Sequence, residues 1–218
     1  MYKYFFKRFF DIVLSLIGII VLAIPMLVIA IAIKIDSSGP VLFKQRRIGL
    51  HRSEFVLLKF RSMPTSAPSN VATHQLDVQQ VQLSKFQRIL RASSCDELPQ
   101  LWNILKGDMS IIGPRPALWN QYDLIAERDK YGANDIKPGL TGWAQINGRD
   151  ELEIPVKAKL DGDYTAALIS GHGLRMDWKC FWGTVASVLK HEGVVEGGTG
   201  ELKKQENAKE VKMEAMTK

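Results

Sequence analysis

Residues Ile12 to Ile33, IVLSLIGIIVLAIPMLVIAIAI, form a run of 22 residues without a charge, bounded by Asp11 and Lys34. As a helix rising about 1.5 Å per residue it covers roughly 33 Å, enough to cross a bilayer core of about 30 Å. Such a run belongs in lipid, so the rest of the fold has to grow from a membrane surface. Lys3, Lys7 and Arg8 make a basic start and Ala30-Ile31-Ala32 looks like a cleavage box, but the run is too long for a signal-peptide h-region of about 7 to 15 residues.

Two membrane geometries compete. Basic residues flank both ends, Lys3, Lys7 and Arg8 before the run and Lys34, Lys44, Arg46 and Arg47 after it. Positive flanks favour the cytoplasm, so both ends prefer one side, as in a helix that enters and leaves by the same face. Pro25 interrupts the run after 13 residues, and its missing N–H and ring clash bend or break a helix. Prolines are also tolerated in spanning helices, where neighbours re-satisfy the freed carbonyls, so the residues alone leave span and re-entrant hairpin both open.

The rest of the chain has the size and composition of one packed domain: 218 residues in all, 46% hydrophobic and 24% charged. Cys95 and Cys180 are the only cysteines, which excludes a disulfide scaffold and points to a reducing compartment. The net charge of +6 favours an anionic partner: a nucleic acid, a nucleotide or a lipid headgroup.

That charge gathers after the apolar run. Val41 to Phe43 and Phe55 to Phe60 are β-prone segments around a polar turn containing Gly49, and read as a hairpin. Lys44, Arg46, Arg47, Arg52, Lys59 and Arg61 line it, opposed by Glu54 alone. Arg46 and Arg47 suit acidic lipid headgroups, whereas Lys59 and Arg61, alternating on one strand face, are better placed for a ligand. Residues 64–82 are polar and read as a loop or cover. Ser84 to Ala92 reads as a short helix with Phe86, Ile89 and Leu90 inward.

In Ser93-Ser94-Cys95-Asp96-Glu97-Leu98-Pro99-Gln100-Leu101-Trp102-Asn103-Ile104-Leu105-Lys106-Gly107, Leu98, Leu101, Trp102 and Leu105 recur at helical spacing, with a stop at Lys106-Gly107. Ser94 and Glu97 match a capping box, and acids in a first turn complement the helix dipole, which explains both carboxylates without chemistry. Pro99 argues against that frame, because it would then sit fifth in the helix and delete a ladder bond; a start near Asp96 fits better. Asp96 at a positive helix end suits either a cap or a carboxylate nucleophile attacking phosphorus.

With neither a Walker loop nor G-x-G-x-x-G in the chain, phosphate would have to be held by side chains, metal and isolated amides. Ile111 to Pro116 is a rigid turn whose only long side chain is Arg115, and Lys137 to Arg149 is a compact loop dense in glycine, amides and cations. Trp178, Phe181, Trp182 and Val185 recur at helical spacing beside Arg175 and Lys179, which suits an interfacial amphipathic helix or an ordinary core-facing one.

Taken together, the hydrophobic N-terminus with its internal proline, KQRRIG, LLKFRSM, DELPQLWNILKGDMSIIGPRP and KPGLTGWAQINGRD resemble the bacterial sugar transferases called small monotopic phosphoglycosyl transferases, from about Lys7 to Val194. The resemblance implies an α+β, predominantly helical fold with a small β-hairpin and interfacial amphipathic helices. Residues 1–36 would form a re-entrant membrane helix broken near Pro25, residues 37–198 a catalytic domain on the cytoplasmic face of the bacterial inner membrane, and residues 199–218 a polar, disordered tail. The family breaks that helix at a Ser-Pro pair, whereas here Ile24 precedes Pro25.

The implied reaction moves a phosphosugar from a UDP-sugar to polyprenol phosphate and releases UMP, with Mg2+ as cofactor. On that resemblance Asp96 is the nucleophile, Glu97 the magnesium ligand, and Lys59, Arg91 and Arg115 surround the phosphates. Gln145, Asn147, Arg149 and Asp177 fall in further matching segments. The expected partners are the UDP-sugar, the polyprenol phosphate and membrane lipid, with no nucleic acid; self-association is left open. A different class of reading is a non-catalytic membrane-anchored adaptor whose basic surface recruits nucleic acid or acidic lipid.

Overall fold

A computed structural model describes residues 2–67, 83–148 and 152–190. The 199–218 tail, Arg149 and all but the edges of the 64–82 loop lie outside the described residues.

The apolar run forms two helices, α1 (Lys7–Val21) and α2 (Ala23–Asp36), bent by 61°. The proline dictates where the break falls. Pro25 cannot donate to the Val21 carbonyl and its ring crowds that oxygen, so α1 stops at Val21. Pro25 then lies in the first turn of α2, where no ladder bond is missing. Among the described residues no single helix is long and apolar enough to cross a membrane, although the bent pair together has that length and composition.

Burial in α1 is inverted relative to a water-soluble helix. Its buried residues are Lys7, Asp11 and Ser15, spaced four apart on one face, while its apolar sides are exposed; in α2, Ile24 is 75% exposed. Lys7 donates to Asp177 at 2.8 Å, and Asp11 accepts from Ser110 Oγ at 2.9 Å and the Ile111 N–H at 2.8 Å. Arg8 donates to the carbonyls of Ile104 and Leu105. The apolar helix is thus joined to the domain through its polar stripe.

The hairpin expected from the sequence is present as β1 (Leu42–Ile48) and β2 (Glu54–Phe60), antiparallel from Leu42 opposite Phe60 to Ile48 opposite Glu54. It is followed by α3 (Lys85–Ala92), a 3-10 turn at Cys95–Glu97 and α4 (Gln100–Lys106). Two face assignments need correction. Ile89 is 67% exposed while Leu90 is buried, and Trp102 is 52% exposed while Ile104 takes the inward position.

β3 (Ser110–Ile112) and β4 (Gly139–Thr141), which the sequence presents as turns, pair in parallel with Ser110 opposite Gly139. Gly139 permits this approach, since a Cβ there would lie 2.1 Å from the Gly113 nitrogen. Between these strands lies α5 (Tyr122–Asp129), and after them come α6 (Trp143–Ile146), α7 (Ile154–Ile169) and α8 (Gly173–Lys190). The fold is α+β and mostly helical.

Its apolar core falls into three clusters. One joins β3, α7 and α8 through Ile112, Tyr164, Leu168 and Cys180; a second packs β2 on α4 through Leu57, Leu101 and Ile104. The third, Ile33, Phe60 and Leu90, holds α2 against β2 and α3. α8 buries Asp177 and Cys180 but leaves Trp178, Phe181 and Trp182 exposed, so its aromatic face is not the core-facing one.

Candidate active site

The site forms where β2 ends beside the turn that precedes α4. Ser94 adopts φ 55°, a left-handed conformation tolerated by a short polar residue, and the Cys95–Glu97 turn follows. Ser94 makes no side-chain cap here; the capping box in this region belongs to Ser84 and Gln87 at the start of α3. Pro99 is the N-cap residue of α4, so Asp96 and Glu97 precede that helix rather than occupying its first turn. Both carboxylates are buried.

Cations converge on them. Lys59 Nζ lies 2.8 Å and Arg115 Nη2 2.9 Å from Glu97 Oε1, joining the end of β2 and the turn after β3 to one carboxylate oxygen. Ser62 Oγ donates to Asp96 Oδ2 at 3.1 Å. Burial raises the Asp96 carboxyl above its ordinary range, and adjacent Glu97 adds to that; Lys59, the Ser62 hydrogen bond and Arg91 pull it back without cancelling the rise. Burial likewise presses the Lys59 ammonium toward neutrality, against the attraction of Glu97.

Asp96 faces a cavity of about 540 Å3 whose walls include Lys44, Arg47, Lys59, Arg61 and Arg91; among the described residues Asp96 is the only acid that lines it. Arg61, buried at the rim, donates to the carbonyls of Ser37 and Ser38 just beyond α2. The same strand end therefore positions the carboxylates and grips the exit of the apolar helix pair. A cationic cavity with one buried carboxylate at its wall suits a polyanion whose phosphorus is to be approached by an oxygen nucleophile.

Among the described residues no group of three or more His, Cys, Asp or Glu side chains is arranged to hold a metal ion. Two adjacent carboxylates with a hydroxyl beside them are nevertheless a hard-oxygen donor set. They fit a magnesium ion, which takes few carboxylates and completes its shell with water and substrate phosphates.

Of the residues singled out in the sequence, Lys59, Arg91, Asp96, Glu97 and Arg115 come together. Gln145 and Asn147 make local hydrogen bonds, to the Leu140 and Trp143 carbonyls, and Gln145 Oε1 is buried without a partner among the described residues. Asp177 is not at the site: it accepts from Lys7, Tyr2 and Tyr164, which anchors α1 to α8. Arg149 lies outside the described residues. The sequence reading missed Ser62, for which no spacing rule exists, and the Lys7, Asp11, Ser15 stripe, which a search for polar residues every fourth position in the apolar helix would have found.

A family model described as bacterial sugar transferase matches residues 2–191. Over 188 residues the chain is 38% identical to the uncharacterized sugar transferase EpsL of Bacillus subtilis, covering 86% of this chain and 89% of that protein. It is 42% identical over 144 residues to a UDP-glucose:undecaprenyl-phosphate glucose-1-phosphate transferase of Xanthomonas campestris, covering 65% of this chain. It is 33% identical over 189 residues to a UDP-N-acetylgalactosamine-undecaprenyl-phosphate N-acetylgalactosaminephosphotransferase of Aeromonas hydrophila, covering 85% of this chain. The chain spans only 30% and 44% of the lengths of those two proteins.

Proposed function

The chain belongs to the bacterial sugar transferase family of phosphoglycosyl transferases, and on that premise we propose that it moves a sugar 1-phosphate from a UDP-sugar to a polyprenol phosphate such as undecaprenyl phosphate, releasing UMP. The observation that carries this reading is Asp96, a buried carboxylate at the wall of a cavity whose lining includes the cations Lys44, Arg47, Lys59, Arg61 and Arg91. The named relatives use different sugars, glucose and N-acetylgalactosamine, so the donor is assigned as a class.

In the first step a carboxylate oxygen of Asp96 attacks the sugar-bearing phosphorus, and the diphosphate P–O bond breaks as UMP leaves with its electron pair. In the second, a phosphate oxygen of the lipid attacks the same phosphorus and frees the carboxylate. Two in-line displacements thereby replace one meeting of two anions. Ser62 holds Oδ2, which leaves Oδ1 as the attacking atom. Lys59, Arg91 and Arg115 supply positive charge to the phosphate oxygens. Magnesium bound by Glu97 and the donor phosphates would supply Lewis-acid neutralisation of the diphosphate.

The acceptor phosphate lies at headgroup depth, and the fold suits a site there. The bent α1–α2 pair, exposed on its apolar sides, enters and leaves the bilayer by the cytoplasmic face, to which both basic flanks are drawn. Arg61 ties the cavity to the residues where α2 ends. Trp182 packs edge to face on Phe181 and Trp178 at 5.4 and 5.7 Å, and all three stay exposed, as aromatic side chains at a lipid interface do.

The test is UMP release from a panel of UDP-sugars with undecaprenyl phosphate and magnesium. Asp96→Asn and Glu97→Gln each abolish release while leaving membrane association intact. Full activity in Asp96→Asn overturns the nucleophile assignment, and no release with any donor overturns the reaction.

A further inference from the structure

A second cavity, of about 390 Å3, lies between the start of α1 and the segment that leads into β4. It shares no lining residue with the cavity that holds Asp96. Lys3, Lys7, Arg8 and Lys137 line it, against the carboxylates of Asp11 and Asp135.

Several of these charges are already engaged. Lys7 is paired with Asp177, and Arg8 donates to the Ile104 and Leu105 carbonyls at 2.6 and 2.8 Å. Asp11 accepts from Ser110 and the Ile111 N–H, and Asp135 Oδ1 lies 3.1 Å from His51 Nδ1. Lys137 differs. Half-buried, it makes no hydrogen bond or ion pair among the described residues, and its Nζ lies 3.6 Å from where a Cβ would stand on Gly107, the same point that Arg8 approaches at 3.3 Å. Burial and the nearby Arg8 both press it toward the neutral form, and the attraction of Asp11 and Asp108 does not make up the difference. An ammonium held beside a guanidinium, with room in front of it and no carboxylate in contact, lacks a counter-anion.

The position of the cavity indicates which anion. Phe5 and Phe6, just before α1, and Phe9 and Phe10, in its first turn, are all exposed beside Lys7 and Arg8 of the cavity wall. Aromatic side chains at the end of an apolar helix mark the interfacial zone, where phosphate esters are concentrated. We propose that this cavity is a second anion site, separate from the Asp96 site, which takes a phosphate group against Lys137 with Lys3 and Arg8 alongside. Phosphate of this kind comes from a phospholipid headgroup or from free phosphate in solution.

The full-length chain in a neutral detergent is titrated with short-chain phosphatidylglycerol and, separately, with inorganic phosphate, while thermal unfolding is followed. Phosphate also reaches the Asp96 cavity, so the diagnostic quantity is the difference between the wild-type chain and Lys137→Gln. In that variant half-saturation moves to higher concentration by about fivefold, the factor expected for one basic residue near a headgroup. Lys3→Gln moves it in the same direction and Lys137→Arg restores it. A shift confined to the lipid titration identifies a headgroup, and a shift in the phosphate titration identifies the free anion. Unchanged half-saturation for both probes in Lys137→Gln and Lys3→Gln overturns the proposal. The titration needs no turnover, so a failure of the transferase reading, seen as absent UMP release, remains distinct from a failure of this one.

Discussion

To serve as the proposed nucleophile Asp96 has to be ionised although it is buried, so the neighbours that hold its charge matter. Ser62 is one of them: its hydroxyl stabilises the carboxylate form and restrains one of the two oxygens. A hydrogen bond to a charged acceptor contributes about 1.5–3 kcal/mol, so Ser62→Ala lowers kcat about 10- to 100-fold. Losing a group that lowers the Asp96 pKa leaves it higher, and the acid limb of the pH–rate profile moves to higher pH. Ser62→Thr, which keeps the hydroxyl, recovers most of both effects. A pH profile of Ser62→Ala superimposable on that of the wild-type chain removes Ser62 from the mechanism. The carboxylate pair was visible in the sequence, where local rules left a cap and a nucleophile both open, and the match of the DELPQLWNILKGDMSIIGPRP block to the family singled it out. Ser62 was not, because nothing local distinguishes it from any serine after a strand; its partner is 34 positions away.

At the scale of the element, α1 and α2 illustrate how a local rule can be right while its neighbour misleads. The steric demand of Pro25 reaches back four residues, so a break near it follows from sequence, and it falls at Leu22. Without that demand a continuous helix over residues 7–36 would be about 45 Å long, ample for a span. Pro25→Ala therefore carries the N-terminus across the membrane in a substantial fraction of molecules. With Lys3→Cys as a label site, external thiol reagent modifies the Pro25→Ala chain and not its Pro25 counterpart. Equal protection in both would show that the polar stripe, rather than the proline, holds the bend. Phase was harder to read than position. Assigning an inward face by apolar periodicity assumes water on the other side, and the exposed Ile89 and Trp102 are where that assignment fails.

Across the whole molecule, polar contacts join the apolar helix to the domain, among them the buried Lys7–Asp177 ion pair. Removing one partner of a buried pair costs about 3–5 kcal/mol because the other charge is stranded. Asp177→Ala accordingly unfolds in detergent at a lower temperature, while the protein that remains folded keeps its UMP release; loss of turnover at full thermal stability would instead return Asp177 to the chemistry. The sequence by itself determined the membrane-seeking run, its break, the basic hairpin and the acidic pair, since each follows from sterics, hydropathy or charge within a few neighbouring residues. Only the tertiary structure decided that Ser62 meets Asp96, that β3 pairs with β4, and that Asp177 meets Lys7, Tyr2 and Tyr164. Those facts depend on groups up to 175 positions apart arriving within hydrogen-bonding distance of each other, which packing settles and periodicity does not encode.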